Sequence, residues 1–363
     1  MIKINPLLYP ISTTCNIACA YCFHRNKEQN NFSKHMSVDC FDKFLLSWMK
    51  ILPNNGEFEI IWHGGEPLLR GIDFYKQVVE ITFKHSDNKR NFSHCLQTNG
   101  TLINEGWAKF FKENNFKVGL SIDGPLESHN FYRKDKNDKI ILKKIKDNVL
   151  ILQEHSVSFG QVVVVHSGNV DCPQEIFDFS KKLGVTKIQI SPCFEIEENK
   201  ALPFSIHPEQ FGIFICKLYD IWLKEDNPKI SIGYIDDIVE SFLGYDCFNC
   251  LLSDRCNNFL VIDWDGNVKP CEELFGNKII FGNINEKSIE EITASSLYSN
   301  FYSRISQRRK DVCGNCGWFE ICKGGCPHHW PSFHAGKTVL CEANKIIFGH
   351  IGESIKNIYS KGS

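Results

Sequence analysis

The sequence predicts an α/β protein in which a partial barrel of six β/α units precedes a cysteine-rich region that binds metal. Short β-rich runs alternate with helical patterns from residue 7 to about 192. Strand-then-helix units indicate a parallel sheet with right-handed crossovers. An open doubly wound sheet is the alternative, but candidate site residues recur at the ends of several strands, which favours a barrel. From residue 246 onward, cysteine and glycine become frequent and regular periodicity fades, as in a small metal-stabilised domain.

Hydrophobic periodicity locates the individual elements. The strand candidates are LLYPIS, FEIIWH, SHCLQTN, KVGLSID, FGQVVVV and KIQIS. Helical patterns cover residues 38–52, 74–84, 104–114 and 173–184, with another helix around 208–223. We therefore expect a barrel domain at 1–200, a bridging region at 201–245, and a metal-binding domain with a C-terminal helix at 246–363.

Composition restricts the classes of partner. The chain has 363 residues, of which 42% are hydrophobic and 23% charged, and its formal net charge is -2. These values indicate a globular protein with a large core and give no support to nucleic acid as a partner. We find no signal-peptide pattern near the start and no charge-free window of about 18 residues for a membrane span. The sequence therefore predicts a cytoplasmic protein with no membrane partner.

Cysteine is over-represented for such a protein, with 17 in the chain. Cytoplasmic thiols stay reduced, so a disulfide framework is not expected and metal is the better explanation. Five cysteines stand alone in apolar or helical surroundings, where we expect small buried side chains: Cys40, Cys95, Cys172, Cys193 and Cys216. The cysteines that fall in tight groups are the candidate ligands.

The first group lies in the stretch CNIACAYCF, residues 15–23. Zinc needs four ligands, and this loop offers Cys15, Cys19 and Cys22, with His24 as a possible fourth. Three thiolates on an iron–sulfur cube would instead leave one iron open to bind a small molecule. The spacing C-x3-C-x-aromatic-C resembles the signature of the radical S-adenosylmethionine (SAM) enzymes. In that family the open iron binds SAM, and an electron from the cluster cleaves it to give a 5′-deoxyadenosyl radical.

Other segments extend this resemblance. IIWHGGEP (60–67) is similar to the GGEP motif of the family, and LQTNG, LSIDGP and HNFYRK follow at or beyond the ends of later strands. Glycines let backbone approach a ligand closely, a carboxylate pairs with an ammonium group, and arginine suits carboxylate or ribose oxygens. The resemblance implies that SAM is bound by Tyr21, Gly64, Gly65, Glu66, Ser121 and Arg133.

The C-terminal cysteines resemble the seven-cysteine SPASM pattern. Their positions are Cys256, Cys271, Cys313, Cys316, Cys322, Cys326 and Cys341, with Cys250 as an additional cysteine. The resemblance implies that Cys250, Cys256, Cys271 and Cys326 hold auxiliary cluster I, and that Cys313, Cys316, Cys322 and Cys341 hold auxiliary cluster II. With the N-terminal site this makes three [4Fe–4S] clusters. Two zinc ribbons are the alternative, and Cys247 could replace Cys250 as a ligand.

Enzymes of this type modify peptides or proteins, and three outcomes compete. These are a carbon–carbon cross-link of cyclophane type, a thioether bridge, and oxidation of a sulfatase serine or cysteine to formylglycine. Sulfatase-maturing enzymes have an aspartate base where this chain has Glu272, and commonly a glutamine where it has His63. The spelling WHGGEP with SIDGPLESHNFYR looks more like the cross-linking maturases. The sequence therefore predicts a cyclophane-type cross-link.

In the reaction that this resemblance implies, the radical removes a side-chain hydrogen, at Cβ, from a ribosomally made precursor peptide. An auxiliary cluster then takes an electron, Glu272 or Glu273 takes a proton, and a reductant such as flavodoxin or ferredoxin restores the N-terminal cluster. Cys15 lies so early in the sequence that we expect no separate leader-binding module before the barrel. The non-enzyme alternative, an iron–sulfur electron carrier, would leave GGEP and Arg133 without a purpose.

Overall fold

We describe the protein from a computed structural model, which covers residues 4–24, 34–86, 90–197, 200–247, 249–271, 279–331 and 336–362. The chain forms two compact units, each built from several segments. The first unit contains Met1–Ser121, Arg133–Phe159 and Asn257–Tyr302. The second contains Ile122–Tyr132, Gly160–Cys256 and Ser303–Ser363.

The regular elements lie as follows in chain order. The strands are β1 (Asn5–Leu8), β2 (Gly56–Trp62), β3 (Arg90–Thr98), β4 (Lys117–Ser121), β5 (Phe159–Val165), β6 (Lys187–Pro192), β7 (Ile196–Glu197), β8 (Lys200–Ala201), β9 (Ser231–Ile232), β10 (Phe259–Ile262), β11 (Asn267–Lys269) and β12 (Gly282–Asn283). The helices are α1 (Val38–Ile51), α2 (Ile72–His85), α3 (Glu105–Glu113), α4 (Leu126–Tyr132), α5 (Leu142–Glu154), α6 (Pro173–Lys182), α7 (Pro208–Glu225), α8 (Gly233–Phe242), α9 (Ile289–Thr293), α10 (Ser296–Cys313), α11 (Phe319–Cys322) and α12 (Cys341–Gly362).

In the first unit, β1 to β4 are parallel neighbours in chain order. Leu8 pairs with Trp62, Trp62 pairs with Leu96, and Thr98 pairs with Leu120. Because the strands are parallel and in chain order, their carboxyl ends reach the same edge of the sheet. This arrangement confirms the predicted α/β fold with a parallel sheet, and it brings the loops after β1, β2 and β3 together at one edge of the first unit.

The first unit also contains strands that the sequence analysis missed. The run Phe259–Ile262, in the cysteine-rich part of the chain, forms β10 and pairs in parallel with β1. β11 and β12 continue this edge in antiparallel pairing. The turn between β10 and β11 is fixed by Asp263, whose Oδ1 accepts hydrogen bonds from the backbone N–H groups of Asp265 and Asn267 at 3.0 Å each.

An aromatic core holds the end of β2 in place. Trp62 is fully buried, and its ring centroid lies 5.2 Å from that of Tyr75 and 5.5 Å from that of Phe41. Trp62 Nε1 donates to Nδ1 of His94 on β3 at 3.2 Å, so the indole has a partner inside the core. The segment that follows Trp62, which contains the GGEP motif, therefore starts from a rigid position.

In the second unit, β5 and β6 pair in parallel, with Val163 opposite Ile190, and β9 pairs with β6. α7 packs against α12, where the Tyr219 hydroxyl donates to Oγ of Ser354 at 2.9 Å. All six predicted strands are present, as are the five helices predicted by range and the predicted C-terminal helix, with ends that differ by a few residues. No helix among the described ranges combines the length and the apolar character needed to cross a membrane.

Candidate functional site

The loop after β1 carries Cys15, Cys19 and Cys22. It is held by backbone contacts: Ala18 N–H donates to the carbonyl of Lys134 at 2.9 Å, and Cys22 N–H donates to that of Cys19 at 3.2 Å. The Cys19 side chain is buried and the other two are partly exposed. The fold therefore fixes three thiols on one short loop at the carboxyl edge of the sheet.

Two nitrogen donors face the sulfur atoms of this loop. Asn99 Nδ2 lies 3.6 Å from Cys15 Sγ, and Arg133 Nη1 lies 3.9 Å from Cys19 Sγ. Burial and, after it, the negative charge of Glu66 raise the pKa of Cys15 to about 12, so the thiolate needs a nearby cation. N–H donors at sulfur and a requirement for positive charge are both typical of thiolates that ligate iron–sulfur clusters. The cysteine loop therefore fits the predicted iron–sulfur cluster.

The glycines of the GGEP motif pack directly against the cysteine loop. Gly65 N–H donates to the carbonyl of Ser12 at 3.2 Å. A Cβ atom at Gly65 would lie 2.0 Å from the carbonyl oxygen of Thr14, which no side chain tolerates. Gly64 has a φ of 108°, in the region that favours glycine. We expected these glycines to admit a ligand, and the structure shows that they also admit the chain's own backbone.

Glu66 is fully buried and hydrogen-bonded at both carboxylate oxygens. Its Oε1 accepts from Thr98 Oγ1 at 2.8 Å and from the backbone N–H of Leu68 at 3.0 Å, and its Oε2 accepts from the backbone N–H of Asn99 at 2.9 Å. Burial raises the pKa of Glu66 to about 7, although these donors oppose the shift. A cation beside Glu66 would favour its ionised form, so the environment suits recognition of an ammonium group.

Arg133, Tyr21 and Ser121 complete the predicted set. Arg133 is buried, and its guanidinium carbon lies 5.2 Å from the centroid of the Tyr21 ring, within cation–π range. Ser121 ends β4, and its Oγ accepts a hydrogen bond from Gln97 Nε2 at 2.8 Å. The first unit therefore brings three thiols, a buried carboxylate and a buried guanidinium to the edge where its parallel strands end.

The zinc alternative at this loop relied on His24. The structure places the His24 ring 4.2 Å from that of Phe23 and 5.9 Å from that of Tyr9, measured between centroids. Across the described ranges, no three histidine, cysteine, aspartate or glutamate side chains form a group that could hold a single metal ion.

The predicted ligands of auxiliary cluster II come together in the second unit. Cys313, Cys316, Cys322 and Cys341 line one cavity, together with Trp318, Phe319 and Phe348. Asn344 Nδ2 donates to Cys322 Sγ at 3.4 Å. Burial raises the pKa of Cys313, and the charges of the neighbouring Cys341 and Cys316 contribute to this increase. The positive charges of Lys337 and Arg309 oppose it. Four thiols around a cavity, with a donor to sulfur and cations nearby, fit a thiolate-ligated cluster.

The predicted ligands of auxiliary cluster I fall in different units. Cys250 is exposed, Cys256 is partly exposed and Cys326 is buried, all in the second unit. Cys271 follows β11 in the first unit and is partly exposed. The set Cys250, Cys256, Cys271 and Cys326 stays a prediction from the sequence pattern.

Cys247 was the competing ligand for auxiliary cluster I. Its thiol donates to the carbonyl of Asn249 at 3.8 Å. Burial and, after it, the carboxylate of Asp237 on α8 raise the pKa of Cys247 to about 12. These contacts are with its own segment and the preceding helix, so Cys250, which spacing favours, stays the predicted ligand.

Two predicted residues lie outside the described part of the chain, and three described residues make contacts in the site that were not predicted. Glu272, the predicted base, and Glu273 lie outside the described residues. Sequence reasoning did not single out Thr98 and Asn99, which hold Glu66, or Asn344, which contacts Cys322. The motif LQTNG contained the signal for the first two, because polar residues directly after a buried parallel strand face the site edge.

Comparison with known families agrees with this geometry. Residues 9–180 match the radical SAM superfamily, and residues 250–317 match SPASM, an iron–sulfur cluster-binding domain. These family matches and the relatives described below confirm the predicted cofactors, SAM and three [4Fe–4S] clusters. They also confirm the prediction that the protein is an enzyme.

Individual relatives cover almost the whole chain. A cysteine-type anaerobic sulfatase-maturating enzyme of Clostridium novyi is 34% identical over 360 residues, which span 96% of this chain and 95% of that protein. A serine-type enzyme of Bacteroides thetaiotaomicron is 30% identical and covers 95% and 88%. The structure of anSMEcpe with bound AdoMet and a Cp18Cys peptide is 27% identical, with a TM-score of 0.87 and 99% coverage of both chains. The chain therefore belongs to the radical SAM enzymes with a SPASM domain, in the family of the anaerobic sulfatase-maturating enzymes.

Proposed function

We propose that this radical SAM enzyme oxidises a cysteine side chain of a sulfatase to formylglycine. The observation that carries the proposal is the 34% identity to the Clostridium novyi enzyme, because it extends over 95% of that protein rather than over the cluster motifs alone. The cysteine-type relatives are 32–34% identical and the serine-type relatives 28–30% identical. A sulfatase serine is therefore the second candidate substrate.

Formylglycine formation replaces the cross-link that the sequence motifs favoured. That prediction relied partly on His63, whose position in the sulfatase-maturing enzymes is commonly glutamine. In the structure, the His63 ring lies 6.0 Å from that of Tyr9, and burial lowers the pKa of His63 to about 4. The packing of a neutral His63 against Tyr9 is a structural reason for a histidine at this position. The sequence WHGGEP is therefore weak support for cyclophane formation. The relatives described above support neither a cyclophane nor a thioether bridge.

The contacts in the first unit support specific roles in SAM binding. Glu66 would receive the amino group of SAM, because it is a buried carboxylate whose two oxygens are oriented by fixed donors. Arg133 would face a SAM oxygen, with Tyr21 supporting its guanidinium. Gly64 and Gly65 would place backbone beside the ligand, and the Ser121 hydroxyl would contribute a further polar contact.

The proposed reaction balances as follows. When bound, SAM and the N-terminal cluster supply a radical that takes a hydrogen atom from Cβ of the substrate, and the auxiliary clusters supply an acceptor for the electron that then leaves. Loss of that electron and of the thiol proton gives a carbon–sulfur double bond. Water replaces the sulfur and leaves the aldehyde and hydrogen sulfide. The proton needs a base, for which Glu272 stays the prediction.

The thiols divide into three proposed ligand sets. Cys15, Cys19 and Cys22 would hold the N-terminal cluster. The cavity-lining set in the second unit would hold auxiliary cluster II, and the remaining predicted set would hold auxiliary cluster I. A small electron carrier such as flavodoxin or ferredoxin would reduce the enzyme.

The test uses anaerobically reconstituted enzyme, SAM, dithionite and three matched peptides. The peptides carry cysteine, serine or alanine at the target position of one sulfatase-derived sequence. We expect an aldehyde, detected with a hydrazine probe, from the cysteine peptide, less from the serine peptide and none from the alanine peptide. Release of sulfide should equal the aldehyde formed from cysteine.

A second substrate separates the alternatives. SAM cleavage without an aldehyde on any sulfatase peptide would contradict the proposal. A product of an aromatic-rich peptide that lacks two hydrogens, keeps its thiols and shows no aldehyde would instead support cyclophane formation. Blocked alkylation of a cysteine in that product would support a thioether.

A further inference from the structure

A buried arginine in the second unit, which is a cation near Cys313, makes its hydrogen bonds to other segments of the chain. Arg309 lies on α10, one turn before Cys313, and only 2% of it is exposed. It is among the largest fully buried side chains of the chain, where a lysine or arginine is almost never found unless it is paired. Its charge therefore needs an explanation.

The partners of Arg309 are backbone carbonyls. Nη1 donates to the carbonyl of Asp254 at 2.9 Å, and Nη2 donates to that of Gly325 at 2.8 Å. Its Nε has no hydrogen-bond partner, and no carboxylate in the described part of the chain forms an ion pair with it. Among the described residues, carbonyl dipoles solvate the guanidinium, but no carboxylate compensates its positive charge.

The surrounding backbone is shaped around this side chain. Gly324 has a φ of 80°, and a Cβ atom there would lie 2.9 Å from Arg309 Cγ. Gly325, which supplies one of the carbonyls, also has a positive φ, 72°. Only glycine adopts such conformations without strain, so the turn keeps room for the arginine stem and directs a carbonyl at its head.

Each contact of Arg309 lies next to a predicted auxiliary-cluster ligand. Asp254 is two residues before Cys256, and Gly325 directly precedes Cys326, both predicted ligands of cluster I. A cluster held by four thiolates carries net negative charge, and the reduced form carries more. A fixed cation beside its ligand segments would stabilise the reduced form.

We propose that Arg309 is the positioning residue and counter-charge of the auxiliary clusters, cluster I in particular. Its guanidinium ties the segments of Cys256 and Cys326 together and raises the reduction potential of the cluster that they bind. An auxiliary cluster with a higher potential accepts an electron more readily, which is the property that oxidation of a substrate radical requires. This inference rests on the cluster assignment and is independent of which peptide is the substrate.

The experiment measures potential rather than activity. Full-length protein with Cys15, Cys19 and Cys22 replaced by alanine removes the N-terminal cluster, so only the auxiliary clusters contribute iron and spectroscopic signal. Into this protein we would introduce Arg309→Lys, which keeps the charge, or Arg309→Gln, which keeps donors without charge. Arg304→Met, at an exposed position on the same helix, is the control. Iron content and an anaerobic potentiometric titration followed by EPR are the readouts.

We expect Arg309→Gln to lower the auxiliary potential enough to change the ratio of reduced to oxidised cluster at least tenfold, or about 59 mV for one electron. Arg309→Lys should stay close to the parent, and Arg304→Met should match it. If Arg309→Gln instead loses auxiliary iron while Arg309→Lys keeps it, the need for charge is shown directly. Equal behaviour of the lysine and glutamine variants, in potential or in iron content, would overturn the proposal. A parent protein with no auxiliary iron would refute the cluster assignment instead.

Discussion

Asn99 links the first cysteine of the N-terminal loop to the buried carboxylate of the GGEP motif. Its Nδ2 lies 3.6 Å from Cys15 Sγ, and its backbone N–H donates to Glu66 Oε2 at 2.9 Å. The same Nδ2 donates to Asn16 Oδ1 at 2.9 Å, and Oδ1 of Asn99 accepts from Thr101. One residue at the end of β3 therefore orients a predicted cluster ligand and a predicted SAM ligand together.

The side chain of Asn99 should raise the potential of the N-terminal cluster, because an N–H donor to a ligating sulfur stabilises the more negative reduced form. We expect Asn99→Ala to lower this potential by about 40 mV, the one-electron equivalent of ~1 kcal/mol. Potentiometric titration of the loaded enzyme measures the shift. Asn91→Ala, exposed on the same strand, is the control. An unchanged potential in Asn99→Ala would show that its contact with Cys15 is only structural.

Gly65 should be indispensable for the N-terminal cluster. Alanine there would place Cβ 2.0 Å from the carbonyl oxygen of Thr14, so the adjoining Cys15 loop would have to move. We expect Gly65→Ala to lose about four irons, one cube of three, while the auxiliary clusters persist. Gly349→Ala is the matched control, because nothing lies within 4 Å of its added Cβ and it sits inside α12. That variant should keep all iron and gain ~0.5–1 kcal/mol of stability. Full iron loading of Gly65→Ala would contradict the close-packing argument.

Much of the fold followed from the sequence because its signals are local. The runs FEIIWH and FGQVVVV are apolar over the length of a buried strand, and the structure has strands there at Gly56–Trp62 and Phe159–Val165. The strand Phe259–Ile262 was missed because its pairing with β1 joins residues about 250 positions apart. A four-residue apolar run among cysteines carries no local sign of such a partner.

The candidate site was predictable to the extent that its residues sit in motifs. Cys15, Glu66 and Arg133 were proposed because spacing and neighbouring residues identified them. Asn344 and Arg309 were not, since each acts through a contact with a distant segment and a single polar residue on a helix has no distinguishing pattern. The predicted role of Gly65 in SAM binding was incomplete, because the sequence does not show that the backbone of Thr14 packs against this glycine.

His94 should make the stability of the first unit depend on pH. Its ring stacks on Phe116 with centroids 4.8 Å apart and accepts a hydrogen bond from Trp62. Burial lowers the pKa of His94 to about 3, whereas the unfolded chain has an ordinary value of about 6.5. The neutral ring therefore contributes fully above pH 6.5, and this contribution is lost as the pH falls toward 3. At pH 5.5 the loss should be about 1.4 kcal/mol.

The measurement compares urea unfolding at pH 7.5 and 5.5, followed by tryptophan fluorescence. His94→Asn keeps an acceptor for Trp62 but does not titrate, so its loss of stability on acidification should be smaller than that of the wild type. Two other buried histidines with lowered pKa, His63 and His329, keep part of the dependence in both proteins. If His94→Asn and wild type lose the same unfolding free energy between pH 7.5 and 5.5, His94 is not a source of the pH dependence.

Glu66 provides the sharpest test of the proposed SAM site. Glu66→Gln removes the negative charge and turns an amide N–H₂ toward one of the backbone N–H groups that now donate to the carboxylate. A charge-assisted hydrogen bond contributes ~1.5–3 kcal/mol, so SAM affinity should fall roughly 10- to 100-fold. Equilibrium binding of SAM to cluster-loaded protein measures the loss.

Two comparisons separate charge recognition from local damage. Glu59→Gln removes a carboxylate from the partly exposed face of β2, where Glu59 pairs with Lys117, and should leave SAM affinity unchanged. Arg133→Ala should also weaken SAM binding, but because Arg133 lies 3.9 Å from Cys19 Sγ it should shift the potential of the N-terminal cluster as well. Glu66 has no such contact with sulfur among the bonds described, so Glu66→Gln should lose affinity with full iron and a smaller change in potential. If Glu66→Gln binds SAM as well as wild type, the buried carboxylate is a structural anchor for Thr98 and Asn99, and the SAM amino group is recognised elsewhere.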